Sequence, residues 1–453
     1  MTDQTLQSHP QWSSRWAFVL AAAGAAVGLG NIWKFPYITG ENGGGAFVLV
    51  YLLCLAVVAT PVMIAEIMIG RRSRLNPIQG VARLAKESQA PRAWHGLGWI
   101  GVAAGFIILS YYAVVMGWSL SYIFRAGSGE FAGLDADGAR SLFGDLVSDP
   151  ERLLLWHTLA MVMTTIIVAR GVRGGLELAT RWLMPMLLLL LIVLMGYNIG
   201  TSGFMQAVEF MFSPDFSSLT AQSVVVAMGH AFFTLSIGMG TIMVYGSYMP
   251  AGTSIPRVTL AIVAADSIIA LLAGLVIFPV VYTHGLDVSE GVGLVFMTLP
   301  IAFGQMPWGE LFALLFFILL SIAAWTSSIS MIEPAVSYLT DRFSFSRTAA
   351  ATWVGLGAWT LGLLSVFSFN LLENWTLFGK TFFGVADFLA SNLLLPLGGM
   401  LIALFAGWAM KRRFAAEELG LARPGTSQLW WVLTAIVAPA GVFFVLLNGL
   451  GVF

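Results

Sequence analysis

Charge is scarce in this chain of 453 residues: Lys, Arg, Asp and Glu make up 10% of it, with a net charge of -1 at pH 7. So little charge cannot cover a soluble protein of this size, and the near-neutral balance excludes nucleic acid or another polyanion as partner. Cysteine occurs once, at Cys54, which excludes an intrachain disulfide framework or a thiolate metal centre. The five histidines are scattered, and neither HExxH nor GxSxG is present, so no nucleophile–base pair or metal constellation of an enzyme is readable. The N-terminus also lacks a basic stretch followed by a short apolar core and cleavage site, so the first apolar segment is expected to persist as a span.

What is present is apolar: 58% of the residues are hydrophobic, and mean hydropathy is +0.85. A bilayer core needs about 20 apolar residues per helix. Eleven runs qualify, near 16–38, 45–70, 97–124, 153–169, 182–200, 222–249, 258–284, 307–338, 349–369, 376–410 and 429–450, numbered here as spans 1 to 11. Arg71, Arg72, Arg74, Arg83, Lys86 and Arg92 follow span 2. Arg170, Arg173 and Arg181 follow span 4, Arg257 follows span 6, and Arg342 and Arg347 follow span 8. Lys411, Arg412, Arg413 and Arg423 follow span 10, whereas Glu130, Asp135, Asp137, Asp145, Asp149 and Glu151 follow span 3, and Asp287 and Glu290 follow span 7. Basic residues stay on the cytoplasmic side, so the reading is a multi-pass protein of the plasma or inner membrane with its N-terminus cytoplasmic and its C-terminus external.

Span 1 carries AVGLGNIWKFP, from Ala26 to Pro36, which weakens a helix in mid-membrane. Glycine in a helix costs about 1 kcal/mol relative to alanine, and in lipid every freed backbone group needs another partner. Span 6 repeats the anomaly in FFTLSIGMG, from Phe232 to Gly240, five spans later. Close packing alone accounts for one glycine-rich span. Two in corresponding positions point to an inverted repeat with a midplane binding site. Asn31, Thr234 and Ser236 beside the breaks offer oxygen ligands suited to a hard cation such as Na⁺.

AGAAVGLGNIWKFPY and ENGGGAF in spans 1 and 2, FFTLSIGMG in span 6 and TSSIS in span 8 strongly resemble the neurotransmitter:sodium symporter family. Order and spacing match over nearly the whole chain, and the length resembles the shorter, eleven-helix bacterial amino-acid branch. The resemblance implies an all-α integral membrane protein with a 5+5 inverted repeat, the leucine-transporter-type fold, with helices 1 and 6 broken. The expected division is 1–200 for the tail and first repeat, 201–412 for the second, and 413–453 for a cytoplasmic loop and the eleventh helix.

Carried over residue by residue, the resemblance implies two Na⁺ sites. The first would use Ala26, Asn31, Thr234 and Asp266 with the substrate carboxylate; the second would use Gly24, Val27, Ala323, Thr326 and Ser327. A serine or threonine bonding back to its own helix is the plain alternative for the last two. The substrate carboxylate would face amides near Gly28 and Gly30, at the positive end of the second half of helix 1, with the Tyr112 hydroxyl donating to it. The substrate amine would meet carbonyls around Phe233, Thr234 and Ser236. Ile108, Phe233, Met239, Ser327, Ser330 and Met331 would line the side-chain pocket, and two methionines can repack around different shapes. Amine-transporting relatives carry aspartate where this chain has Gly28, so the expected cargo is a neutral hydrophobic L-amino acid, aromatic ones included.

Glu66, Asp266, Glu333 and Asp387 are acids within spans, each costing roughly 2.5–3.5 kcal/mol to insert. Chloride-dependent members have a neutral residue in place of Asp266 and bind the anion nearby, so chloride-independent transport is implied, and Ala270 one turn on offers no hydroxyl. Glu66 is expected to accept amides of the broken span 6, and His230 to pack near the outer gate. Lys34 and Asp387 match the outer gate pair, with lysine in place of the usual arginine. Trp12 and Asp341 match the inner gate, but His9 stands where arginine is usual, leaving Arg15 or a weaker, pH-dependent lock. Gly175 and Pro185, ten apart, resemble a motif that lets span 5 unwind toward the second Na⁺ site. The alternatives are a receptor that binds without turnover, which would have identical binding residues but lacks a large signalling domain here, and a symporter of GABA, amines or osmolytes.

Overall fold

The computed structural model describes residues 10–286, 293–420 and 424–452. His9, Asp287, Glu290 and Arg423, named above, lie outside these residues. Among the described residues the only regular secondary structure is helix, save an isolated bridge between Leu377 and Lys380. Among the described residues nine helices are long and apolar enough to cross a membrane, or ten if the bent pair Arg15–Ala26 and Gly30–Glu41 forms one span. The remaining segment, span 6, consists of two shorter helices, Ala221–Thr234 and Thr241–Ser247.

Local chemistry sets the helix ends. The Ser14 hydroxyl accepts the Ala17 amide to start span 1, and Thr220 and Ser223 form a reciprocal capping box at the start of span 6. Span 1 ends at Ala26, Val27 is extended, and the helix resumes at Gly30 after a bend of 50°. In span 6 the linker between Thr234 and Thr241 turns through left-handed backbone at Ser236, Gly238 and Gly240. Gly238 has no alternative: a Cβ there would lie 2.6 Å from the Leu395 carbonyl oxygen.

Span 3, Arg92–Gly127, and span 8, Gly309–Phe343, pack along each other as a central pair. Spans 1 and 6 lie against this pair, so both breaks are enclosed by protein. Spans 4, 5 and 11 turn large apolar side chains outward, among them Leu155, Trp182, Leu189 and Phe443, as a surface facing hydrocarbon requires.

Glu333 is fully buried and held by Arg347 in a two-pronged ion pair, with one Nη1–Oε1 contact of 2.8 Å. Tyr248 donates to the same carboxylate at 2.7 Å, and Arg347 Nε donates to the Val168 carbonyl at 2.9 Å. One buried acid thus joins spans 4, 6, 8 and 9. The apolar pattern also gave no warning of helices outside the spans: Pro77–Glu87, Ala136–Ser148, Leu294–Gln305 and Arg412–Leu419. Span 10 begins at Phe382 rather than near 376, because the residues before it turn through Phe378 and Gly379 in left-handed backbone.

Candidate binding site at the two helix breaks

The freed backbone groups of span 1 are taken up by neighbours. The Gly28 amide donates to Asn31 Oδ1 at 3.1 Å and the Leu29 amide to the Tyr112 hydroxyl at 3.1 Å, while Ser327 donates to the Val27 carbonyl at 3.3 Å. Gly28 has no room for a side chain, since a Cβ would lie 2.8 Å from the Tyr112 oxygen and would also strike Ser327 Oγ. Ser236, in the other break, donates to the Ala25 carbonyl at 2.7 Å, so the two breaks bond directly to one another. Gly30 packs beneath the Phe233 ring.

One carboxylate organises the space beside them. Asp266 is fully buried and accepts Asn31 Nδ2 at 2.8 Å, the Thr234 hydroxyl at 3.0 Å and the Tyr51 hydroxyl at 3.4 Å. Asn31, Thr234 and Asp266 are thereby brought together at the end of the half-helix that Ala26 closes. Tyr51 was not foreseen: a hydroxyl within an apolar run identifies its partner only once span 7 is placed beside it.

The second oxygen cluster lies between spans 1 and 8. Thr326 donates to the carbonyls of Ile322 and Ala323, each at 3.1 Å, and Ser327 reaches Val27 as above. Gly24 sits at its edge against span 5, where a Cβ would meet Thr180 at 3.2 Å and Met184 at 3.3 Å. Gly175 is equally confined, against the Ile167 carbonyl, in a widened first turn of span 5 that runs Val172–Glu177.

Ile108 is buried one helical turn before Tyr112, and the main-chain carbonyls of Met239 and Met331 approach the bare face of Gly105. Ser330 departs from expectation. Its hydroxyl donates to the Thr326 carbonyl and accepts from Tyr245, both at 2.9 Å, so it faces the seam between spans 6 and 8 rather than the pocket.

Lys34 and Asp387 form no direct ion pair among the described residues. Lys34 and Asp387 line one open cavity of about 240 Å³ together with Trp33, Tyr111 and Phe233. Lys34 Nζ stands 4.4 Å above the Phe233 ring, and Asp387 accepts from Tyr111 at 3.1 Å and Ser391 at 3.0 Å. An ammonium is a compact charge that an aromatic face can hold as readily as an exposed carboxylate. His230 packs against Phe35, Tyr51 and Phe233 as expected, but among the described residues both ring nitrogens are without partners. Glu66 Oε2 accepts the Gly238 amide at 3.2 Å, supporting the span 6 linker as expected.

At the opposite end Trp12 is buried, its indole N–H donating to the Tyr245 carbonyl and its amide to the Tyr248 carbonyl, both at 3.0 Å. Asp341 is engaged elsewhere, by the Asn76 side chain at 2.9 Å. Arg15 does not replace the missing arginine, because its guanidinium lies over Trp16. What holds the N-terminal segment is span 5: Arg173 Nε donates to the Gln11 carbonyl at 2.9 Å, and Glu177 accepts the Ser13 amide at 3.0 Å and its hydroxyl.

The family profile of the sodium:neurotransmitter symporters matches residues 9–133 and 145–451. The chain is 39% identical to YhdH of Bacillus subtilis, an uncharacterized sodium-dependent transporter, over 98% of this chain and 99% of that one. It is 34% identical to an uncharacterized sodium-dependent transporter of Haemophilus influenzae, over 97% and 98% of the two chains. Among solved structures, the crystal structure of MhsT in complex with L-phenylalanine superposes with a TM-score of 0.89 at 41% identity, over 97% of this chain and 99% of that chain.

Proposed function

The chain belongs to the sodium:neurotransmitter symporter family and is a multi-pass, sodium-dependent symporter, not an enzyme; on that footing we propose that it imports neutral hydrophobic L-amino acids, aromatic ones included, by alternating access and without chloride. The substrate carboxylate meets the amides at Gly28 and Gly30 and the Tyr112 hydroxyl, where the positive end of a half-helix favours an anion. Its amine meets carbonyls of the span 6 break, and its side chain enters between Ile108, Phe233, Met239 and Met331. One Na⁺ is held by Ala26, Asn31, Thr234 and Asp266 with the substrate carboxylate as a further ligand. A second is held by Gly24, Val27, Ala323, Thr326 and Ser327. Sharing the carboxylate couples the two cargoes, because neither site is complete alone.

The observation that carries the substrate class is the enclosed space at Gly28. It admits no aspartate beside Tyr112 and Ser327, which supports a substrate that brings its own carboxylate. That L-phenylalanine is the ligand in the MhsT structure supports the aromatic reading. We place the Trp12 end of the bundle in the cytoplasm from the basic loops and the C-terminus outside, and assign residues 1–200 and 201–412 to the two repeats, with 413–453 after them.

The test is uptake into liposomes of purified protein. Labelled neutral L-amino acids should accumulate with an inward Na⁺ gradient and not with K⁺ on both sides, equally in chloride and gluconate. Binding without accumulation would refute transport, and accumulation of GABA or an amine alone would refute the substrate class.

A further inference from the structure

Tyr245 and Ser330 are both buried and bonded to each other, and Ser330 joins the pair to Thr326 of the second Na⁺ site. The Tyr245 hydroxyl donates to Ser330 Oγ, which donates to the carbonyl of Thr326, one turn earlier in span 8. The Thr241 hydroxyl adds a third tie, to the Ser330 carbonyl at 3.3 Å. At its other end Tyr245 offers its own carbonyl to the Trp12 indole, and the two rings meet edge to face at 5.1 Å between centroids. A continuous chain of contacts therefore runs from the N-terminal plug, through the second half of span 6, to the turn of span 8 that bears Thr326 and Ser327.

We propose that Tyr245 and Ser330 are positioning residues for the second Na⁺ site, fixing the Thr326–Ser327 turn and tying its geometry to the seating of Trp12. This rests on the assignment of that site above. The physical case is that Thr326 and Ser327 present ligands only if their turn is held in register with Val27 across the span 1 break. A buried hydroxyl pair of this kind fixes one arrangement, where a phenylalanine and an alanine would pack with more freedom. Moving the second half of span 6 away from span 8 breaks the Tyr245–Ser330 bond and releases the turn, so loss of Na⁺ and opening at the Trp12 end become one event.

The test is Na⁺-dependent binding of labelled L-phenylalanine, or the best substrate of the uptake panel, to the purified full-length protein. The variants are Tyr245→Phe, Ser330→Ala, the double substitution and Ser330→Thr. Tyr245→Phe removes the one buried neutral hydrogen bond the pair shares and should raise the half-saturating Na⁺ concentration about two- to tenfold; Ser330→Ala removes that bond and the bond to Thr326 and should raise it at least as much. Substrate affinity at saturating Na⁺ should stay unchanged, the double variant should be no worse than Ser330→Ala alone, and Ser330→Thr should lose much less than Ser330→Ala. Ser330→Ala removes only one oxygen and carries the test should Tyr245→Phe fold poorly. Unchanged Na⁺ dependence, or losses that multiply in the double variant, would overturn the proposal. Weakened substrate affinity at saturating Na⁺ would overturn it too, by placing Ser330 in the side-chain pocket. A wild-type protein that shows no Na⁺-dependent binding would instead refute the function proposed above.

Discussion

Replacing Asp266 with Asn removes the charge enclosed beside Asn31 and Thr234 while keeping shape and most hydrogen bonds. The carboxylate is fully buried and accepts three donors, Asn31, Thr234 and Tyr51. An asparagine carbonyl still serves Asn31, and the Thr234 hydroxyl can reverse to accept, so folding should survive. What is lost is attraction for a cation. Two unit charges 4–6 Å apart at an effective dielectric of 20 interact by about 3–4 kcal/mol, which converts to about two to three decades in affinity. Asp266→Asn should therefore raise the half-saturating Na⁺ concentration for uptake by up to that factor in gluconate. If the carboxylate balances the incoming cations, chloride should recover part of the loss in the variant and do nothing for the wild type. The assay is initial-rate uptake into liposomes across a Na⁺ titration in each anion. A variant whose Na⁺ dependence in gluconate matches the wild type would refute the charge argument outright.

Three further outcomes follow from the geometry. Glu333→Gln leaves the Arg347 guanidinium unneutralised among spans 4, 8 and 9, a loss of about 3–5 kcal/mol for a broken buried pair; a thermal-unfolding midpoint in detergent within a degree or two of wild type would contradict it. Gly28→Ala puts a methyl against the Tyr112 and Ser327 oxygens, and should abolish substrate binding at any Na⁺ concentration while leaving the protein monodisperse by size exclusion. Pro185→Ala lets the ladder of span 5 close where proline withholds an amide, and should slow Na⁺ release at the Trp12 end, read as a lower turnover with unchanged substrate affinity; unchanged turnover counts against it.

Much of the site could be read from residue order because its chemistry is backbone chemistry. Gly28, Gly30, Asn31 and Pro36 within an apolar run, matched by the glycine-rich stretch of span 6, announce a broken helix, and the break falls at Val27 as the pattern implies. Asp266 was legible by its expense in lipid. The partners of Ser330 were not legible for a physical reason: a serine four residues after Thr326 can turn its hydroxyl back onto that carbonyl, and helical spacing alone does not say which way it turns. Tyr51 and Tyr245 were missed because a tyrosine in an apolar span reads as bulk until its hydroxyl finds a partner on a distant segment. Residue order says least about the gates. Lys34 and Asp387 are more than 350 positions apart in the chain, and sequence order carries no information on whether two such charges meet or take nearer partners.

The grip of Arg173 and Glu177 on Gln11 and Ser13, with Trp12 inserted between Tyr245 and Tyr248, makes the N-terminal segment a tethered ligand of the face it covers. Tethering replaces bulk concentration by an effective one, in the millimolar range for a short flexible connection. A soluble peptide copying residues 10–16 would then have to reach millimolar levels to compete. Changes that lengthen or stiffen the stretch between Trp12 and span 1 would reset how long the closed state lasts without touching a residue that binds cargo.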